Sequence, residues 1–247
     1  MTVKDIYDFL DKIAPFDTAA DWDNVGLLIG KSDTQVTTTI VCLDCNQEIL
    51  NIAKDLNAQL IITHHPVIFD PLKVLDAQSL PWKLAESGIS VISAHTNLDK
   101  ALQGVNHTLC QKLNLDAAPC DYDPFLYIGS YSHEFQPKDW VDMVKNALSA
   151  PVIRAKFSSN LVQKVAVCCG SGGDFLGLAH KLGADTLITG DVKHNIFVEA
   201  AELNMNIVDA GHFHTENIIV PSLCEMLSNR FSDINFIPAD AQPFTVH

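Results

Sequence analysis

"AQLIITHHP", residues 58–66, decides how the chain reads. Leu60 to Thr63 form a short apolar run of strand length. It ends on two adjacent imidazoles, His64 and His65, and then on Pro66, which biases His65 towards extended backbone. The run returns at residues 184–191 as "ADTLITGD". Ala58 falls on Ala184, Ile62 on Ile188 and Thr63 on Thr189. Val41 and Cys42 fall on Val167 and Cys168 at the same offset of 126 positions, and His64-His65 lie over Gly190-Asp191. That period is too long for a solenoid repeat. The economical reading is a duplicated α/β half.

Outward from these runs, strands and helical patterns alternate. "TTIVCLD" leads into "NQEILNIAKDLN". "QLIITHH" leads into "SLPWKLAESG", and "ISVISAH" into "DKALQGVNHTLCQKLN". The second half repeats the order with "QKVAVCCGSGG", "DFLGLAHKLG", "ADTLITGD", "HNIFVEAAELN", "MNIVDAGHFH" and a closing helix in "TENIIVPSLCEMLSNRF". "INFIPA" reads as a last strand. Continuous apolar strands joined through helices indicate βαβ units and a sheet covered on both faces. The expected fold class is therefore α/β: two related α/β domains from a duplicated βαβ half. The expected domains are 1–125, which the C-terminal strand could also join, and 126–247. Between the halves, roughly 116–163, only "PKDWVDMVKNALSA" reads as an element, a helix with Pro137 suited to its start.

Composition narrows the function. Hydrophobic residues make up 47% and charged residues 19% of 247, which suits a globular chain. No apolar run approaches the roughly 20 residues of a membrane helix. The start, "MTVKDIYDFLDKIAPFD", lacks the basic and apolar segments of a signal peptide, so a cytoplasmic location is expected. The formal net charge is −14, and Arg154 and Arg230 are the two arginines. Duplex nucleic acid and anionic membranes attract basic faces, so neither is an expected partner. Seven cysteines, an odd number and several within apolar runs, suit a reducing compartment. "CLDC", residues 42–45, has redox spacing, but Cys42 lies within a strand pattern and no second pair completes a zinc site.

Ligands in open α/β sheets bind at the carboxyl ends of strands. Three such ends carry ligand-type residues: "ITHHP" with His64 and His65, "ISAHTNLD" with His95 and Asp99, and "DAGHFHTE" with His212, His214 and Glu216. Neighbours on extended backbone point to opposite sides, so His64 and His65 should diverge, each towards its own ion. His212 and Glu216, four apart in a helical turn, should converge. Imidazoles with carboxylates suit zinc, manganese, iron or nickel, and argue against copper(I) and iron–sulfur clusters. A carboxylate can bridge two ions about 3.5–4 Å apart. His107, His133, His180, His194 and His247 read as surface or helix residues, with His194 nearest to a strand end. "GSGGDF", residues 170–175, reads as a tight strand-to-helix turn or as a phosphate cradle; it lacks the Walker ending.

Taken in order, "DWDNVGLLIG", "ITHHP", "HTNLD", "CGSGGDF", "DTLITGDVKH" and "GHFHTE" resemble the NGG-one-interacting factor three-like family, whose bacterial members are named GTP cyclohydrolase 1 type 2 homologues. The likeness spans nearly the whole chain and is to the compact form, without the domain that longer members insert between the halves. The resemblance implies a metal site in the cleft between the domains, two divalent metal ions and assembly into a hexameric ring. It carries the ligand roles onto His64, His65, Asp99, His212 and Glu216, with Glu216 as the bridge. His95 and Asn24 match motif positions near the site and are expected to support ligands or substrate.

The reading that follows is a dinuclear-metal-dependent hydrolase in which the ions lower the pKa of a bound water. Its substrate would be a small molecule or nucleotide, with opening of the guanine imidazole ring or phosphoester hydrolysis as the reaction. The alternative is a metal-binding, ring-shaped scaffold without catalysis. Open coordination positions distinguish a catalytic from a structural site, and five side chains shared by two ions leave positions for water.

Overall fold

The computed structural model describes residues 1–242, 244 and 245 of the chain; His247 lies outside them. Eleven strands are described among these residues: β1 (Gly26–Ile29), β2 (Thr38–Cys42), β3 (Leu60–Thr63), β4 (Ser90–Ser93), β5 (Ala117–Cys120), β6 (Asp123–Phe135), β7 (Arg154–Lys156), β8 (Val162–Val167), β9 (Thr186–Thr189), β10 (Asn206–Asp209) and β11 (Asn235–Pro238). They form two sheets, one in each of two compact units.

The first unit comprises Met1–Gln103 and Ile219–Pro243. Its sheet runs β1-β4-β3-β2-β11, with β4, β3, β2 and β11 parallel and β1 antiparallel at the edge. All four residues of β3 are buried, as two-sided cover demands. Helix Gln47–Asp55 starts where the Asn46 side chain accepts from Ile49 N at 3.0 Å, and it lays Ile49, Leu50 and Ala53 on the sheet. These pack with Ile40, Ile61, Leu84 and Val91 in one core. Each fully buried Leu or Ile contributes roughly 1.5–3 kcal/mol relative to exposure.

The second unit comprises Gly104–Ile218 and Phe244–His247. Its sheet runs β5-β6-β8-β9-β10-β7, with β8, β9 and β10 parallel, and β6 and β7 antiparallel to their neighbours β8 and β10. The core joins Ala166, Leu176, Leu187, Ile196 and Ile207. The repeat is visible in the elements. An offset of 126 carries Leu60–Thr63 onto Thr186–Thr189, the full extents of β3 and β9. It also carries helix Gln47–Asp55 onto a 3-10 turn, Gly173–Phe175, and the helix Leu176–Lys181.

The units divide the chain elsewhere than near residue 125. Helix Val105–Lys112 and β5 belong with β6 in the second unit, which therefore opens at Gly104. Helix Ile219–Arg230 buries Leu223, Cys224 and Leu227, and β11 pairs with β2, so the end of the chain returns to the first unit. The region expected to hold one helix holds that helix, Pro137–Ala147, and also β5, β6 and β7. Two helical patterns are each broken in two, into Thr96–Lys100 with Val105–Lys112 and His212–Glu216 with Ile219–Arg230. No helix of the described residues is long and apolar enough to cross a membrane.

Ile61 is fully buried at the centre of the first core. Ile61→Ala should destabilise the protein by about 2–5 kcal/mol, read as a shift in the denaturation midpoint. A shift below experimental error would contradict the packing described.

Candidate metal centre

In the first unit the ends of β3 and β4 bring three imidazoles together. His64 N and His65 N continue the ladder past the end of β3, donating to Cys42 O at 3.1 Å and Leu43 O at 3.0 Å. The ring centroids of His64, His65 and His95 lie 5.0, 5.1 and 5.5 Å apart, and one nitrogen from each ring falls within 4.8 Å of the others. Such a group could hold a metal ion. The expected divergence of His64 and His65 is seen only at one edge of each ring. Nδ1 of His64 turns to Ala94 O at 2.9 Å, and Nδ1 of His65 turns to Asp44 Oδ1 at 2.7 Å. The rings themselves stay close because the strand ends at Thr63, whose hydroxyl caps Leu43 O and His65 O at 2.8 and 3.1 Å, so strict alternation no longer applies.

His95 is part of this imidazole group rather than only a neighbour of it. Its Nδ1 pairs with Asp23 Oδ1 at 2.9 Å, while Asp23 Oδ2 accepts from Thr96 N at 3.0 Å and the Thr96 hydroxyl at 2.5 Å. Burial raises the Asp23 carboxyl, but the hydrogen bonds from His95 and Thr96 outweigh it and hold the group at about 2. Asn24 makes a different contact: its side-chain amide donates to Ile68 O at 2.6 Å. That bond ties the turn carrying Trp22 and Asp23 to the loop that follows His65.

Asp99 stands one helical turn after His95 and is buried, with Oδ1 3.6 Å from His64 Nε2. That distance is too long for a hydrogen bond. His64 Nδ1 faces a carbonyl, which only accepts, so Nδ1 carries the proton in the neutral ring and Nε2 presents its lone pair towards the Asp99 carboxylate. Lone pair and anion repel, so this pair needs a second proton on the ring or a metal cation between them. The donor set therefore fits a cation.

In the second unit, β10 ends on Asp209, which accepts from Gly211 N at 3.0 Å and Val192 N at 3.1 Å and is bound by the Arg154 guanidinium. This turn delivers helix His212–Glu216. His212 Nε2 and Glu216 Oε2 converge to 2.9 Å, as the four-residue spacing predicts. His212 Nδ1 pairs with Asp191 Oδ2 at 2.8 Å. With carboxylates at both nitrogens, this ring needs two positive partners: a second proton, or a cation at Nε2. Glu216 is buried, and an ionised buried carboxylate requires compensation.

The glycine-rich turn takes the tight-turn reading, with a further purpose. Gly170 has φ +61°, and a Cβ there would stand 2.1 Å from Glu216 Oε1. A Cβ at Gly190 would stand 2.5 Å from His212 N and 2.7 Å from Gly170 O. The glycines make room for the carboxylate and for the turn that carries it. Sequence reading passed over three partners visible here: Asp23, Asp44 and Asp191. Asp44 and Asp191 follow the ends of β2 and β9, and pairing strand-end histidines with strand-end aspartates raises both; Asp23 lies in the turn before β1, where no such signal marks it. His180 and His194 are exposed on helices, and His133 is exposed on β6. In the CxxC segment, burial and then Asp44 push the Cys45 thiol up to about 12, the reverse of a reactive thiol.

Fold and site together define an α/β protein with two sheets, in which imidazoles and carboxylates gather at strand ends. The family described as Duf34/NIF3 (NGG1p interacting factor 3) matches residues 1–243, and the chain belongs to that family. A protein of Clostridium perfringens named GTP cyclohydrolase 1 type 2 homolog is 32% identical over 250 residues, covering 96% of this chain and 95% of that one. A Helicobacter pylori protein named GTP cyclohydrolase 1 type 2 is 32% identical over 233 residues, 91% of each chain. Among solved structures, the Staphylococcus aureus protein SA1388 superposes with a TM-score of 0.92 at 27% identity, over 100% of this chain and 99% of that one. Reduced HcgD from Methanocaldococcus jannaschii does so with 0.84 at 28%, over 96% and 97%.

Two outcomes test this geometry. Asp23 is held below its ordinary value of 3.8, so the stability it contributes is in place above that pH and is lost as pH falls through about 2. Asp23→Asn should cost about 2 kcal/mol at pH 7, with the gap to the parent narrowing below about pH 4; thermal melts across this range would show a constant gap if the carboxylate were not stabilised. Gly170→Ala should displace Glu216 and lower the melting temperature, combining steric overlap with a left-handed backbone. A crystal structure of that variant with Glu216 in place and an unchanged melt would refute the cradle.

Proposed function

We propose that the chain is a dinuclear-metal-dependent hydrolase acting on a purine nucleotide. The ligands in this reading are His64, His65 and Asp99 from the first unit and His212 and Glu216 from the second, with Glu216 as the bridge and His95 in support. The observation that carries it is the orientation of the imidazoles. His64, His65 and His212 are each held through Nδ1 by a carbonyl or carboxylate, which supports Nε2 as the nitrogen offered to an ion, and the supporting His95 is held in the same way. Metal-binding histidines are typically fixed in this way, and a random surface histidine is not.

Two divalent ions bound here would lower the pKa of bound water towards neutrality and polarise the bond under attack. Zinc, manganese, iron and nickel all suit the imidazole–carboxylate set. The side chains themselves fix geometry: Asp44 and Asp191 orient the rings of His65 and His212, and Gly170 leaves room for the Glu216 carboxylate that would hold an ion. The names of the relatives support GTP as the substrate. In that reaction one water opens the guanine imidazole ring at C8, and a second releases the carbon as formate. The family resemblance alone supports the hexameric ring, and the cysteine-rich apolar runs support a cytoplasmic location.

Elemental analysis of the purified protein should return about two divalent ions per chain. Glu216→Gln should lose at least one, because a neutral amide bridges poorly. His64→Ala should remain folded and lose hydrolysis of GTP, followed by the ultraviolet change on ring opening and by formate release. A metal-replete, fully active His64→Ala protein would remove His64 from the site, and a metal-loaded parent inert towards purine nucleotides would overturn the hydrolase reading.

A further inference from the structure

Trp22 and Phe69 are 62% and 49% exposed, large aromatic surfaces turned to solvent beside the imidazole group of the first unit. Their ring centroids lie 5.9 Å apart. Each also meets His95 edge to face, at 6.1 Å for Trp22 and 6.4 Å for Phe69. Isolated exposed aromatics are ordinary. These two are instead held on a rigid mount. Trp22 directly precedes Asp23 and Asn24; Asp23 is locked to His95 and Thr96, and Asn24 donates to Ile68 O. Phe69 directly follows Val67 and Ile68, which pack against the first core. The chain anchors the residues on the inner side of each aromatic and leaves the ring itself uncovered.

We infer that Trp22 and Phe69 form a stacking platform that receives the flat heteroaromatic ring of the substrate and sets it next to His95. The inference rests on the hydrolase reading and adds to it the residues that select a base. Charge supports the assignment. The chain carries −14 and two arginines. Arg154 is engaged with Asp209, and Arg230 lies over the Phe231 ring at 5.1 Å. With so little guanidinium for phosphates, contacts to the base gain weight in binding a nucleotide, and aromatic faces provide them without charge. The Asn24 bond has the role of a positioning contact, fixing the Phe69 loop against the Trp22 turn.

The test reads binding rather than turnover, so it is independent of the hydrolase reading. In the full-length Trp82→Phe chain the remaining tryptophans are Trp22 and the fully buried Trp140. Guanosine 5′-monophosphate should quench emission saturably, while ribose 5-phosphate, which carries the same phosphate and no base, should not. In the same titration followed by calorimetry, Trp22→Phe should keep affinity within a few-fold, and Trp22→Ala and Phe69→Ala should each weaken it roughly 5- to 100-fold. Asn24→Ala should weaken binding less and speed proteolysis within residues 66–79. Equal binding of the two probes, or unchanged affinity in a folded Phe69→Ala chain, overturns the platform. Emission that changes with protein concentration and not with nucleotide overturns it too, since it assigns this surface to a second copy of the chain. A protein that binds the base as stated but hydrolyses nothing would refute the hydrolase reading and leave the platform standing.

Discussion

A neutral imidazole has one proton to place, and the arrangement of the imidazoles in each unit follows from where it goes. His64 Nδ1 faces the Ala94 carbonyl, which can only accept, so its proton is committed to the backbone. The lone pair is then on Nε2, pointing to a buried carboxylate 3.6 Å away. His65, His95 and His212 repeat the commitment with Asp44, Asp23 and Asp191 in place of the carbonyl. Strand ends, turns and glycines in both units serve to hold that assignment.

The same constraint explains why an acidic chain gathers buried carboxylates at strand ends. Asp99 and Glu216 are 7% and 4% exposed. Burying an anion costs several kcal/mol unless donors or a cation compensate. Arginine is not the local means of compensation: Arg154 is engaged by Asp209, where it stiffens the turn that presents His212. A pair of divalent ions would satisfy both the lone pairs and the carboxylates, which is the physical core of the proposed function.

The inner strands of each sheet were legible because two-sided burial writes them as unbroken apolar runs; β3 and β9 read directly from "LIIT" and "TLIT". The strands flanking them were not. β6 contains Asp123, Pro124, Gly129 and Ser130, carries a register shift between Ser130 and Phe135 and has no regular alternation of buried and exposed residues, so it reads as loop. β7 has three exposed residues and no apolar signal. Of the candidate site, the clustered histidines and carboxylates stood out by type. The aspartates that orient them did not, because Asp23 reaches His95 across 72 positions and Asp44 reaches His65 across 21, contacts that only the sheet order creates.

The duplication also explains why the two halves contribute differently. At equivalent positions the first repeat has Asp44, His64 and His65, and the second has Gly170, Gly190 and Asp191. In the first, the end of β3 supplies the imidazoles itself, and Asp44 orients one of them. In the second, the same two places are emptied of side chain: Gly170 admits the Glu216 carboxylate and Gly190 admits the His212 backbone. What remains, Asp191, orients His212. One copy of the βαβ unit therefore presents imidazoles from its middle strand. The other has cleared that strand end so that an imidazole and a carboxylate arrive from the next one, with an aspartate kept in each copy to orient a ring. A side chain larger than hydrogen at Gly170 or Gly190 would close the second route, so the glycine-rich strand end of one copy is as constrained as the histidine-rich strand end of the other.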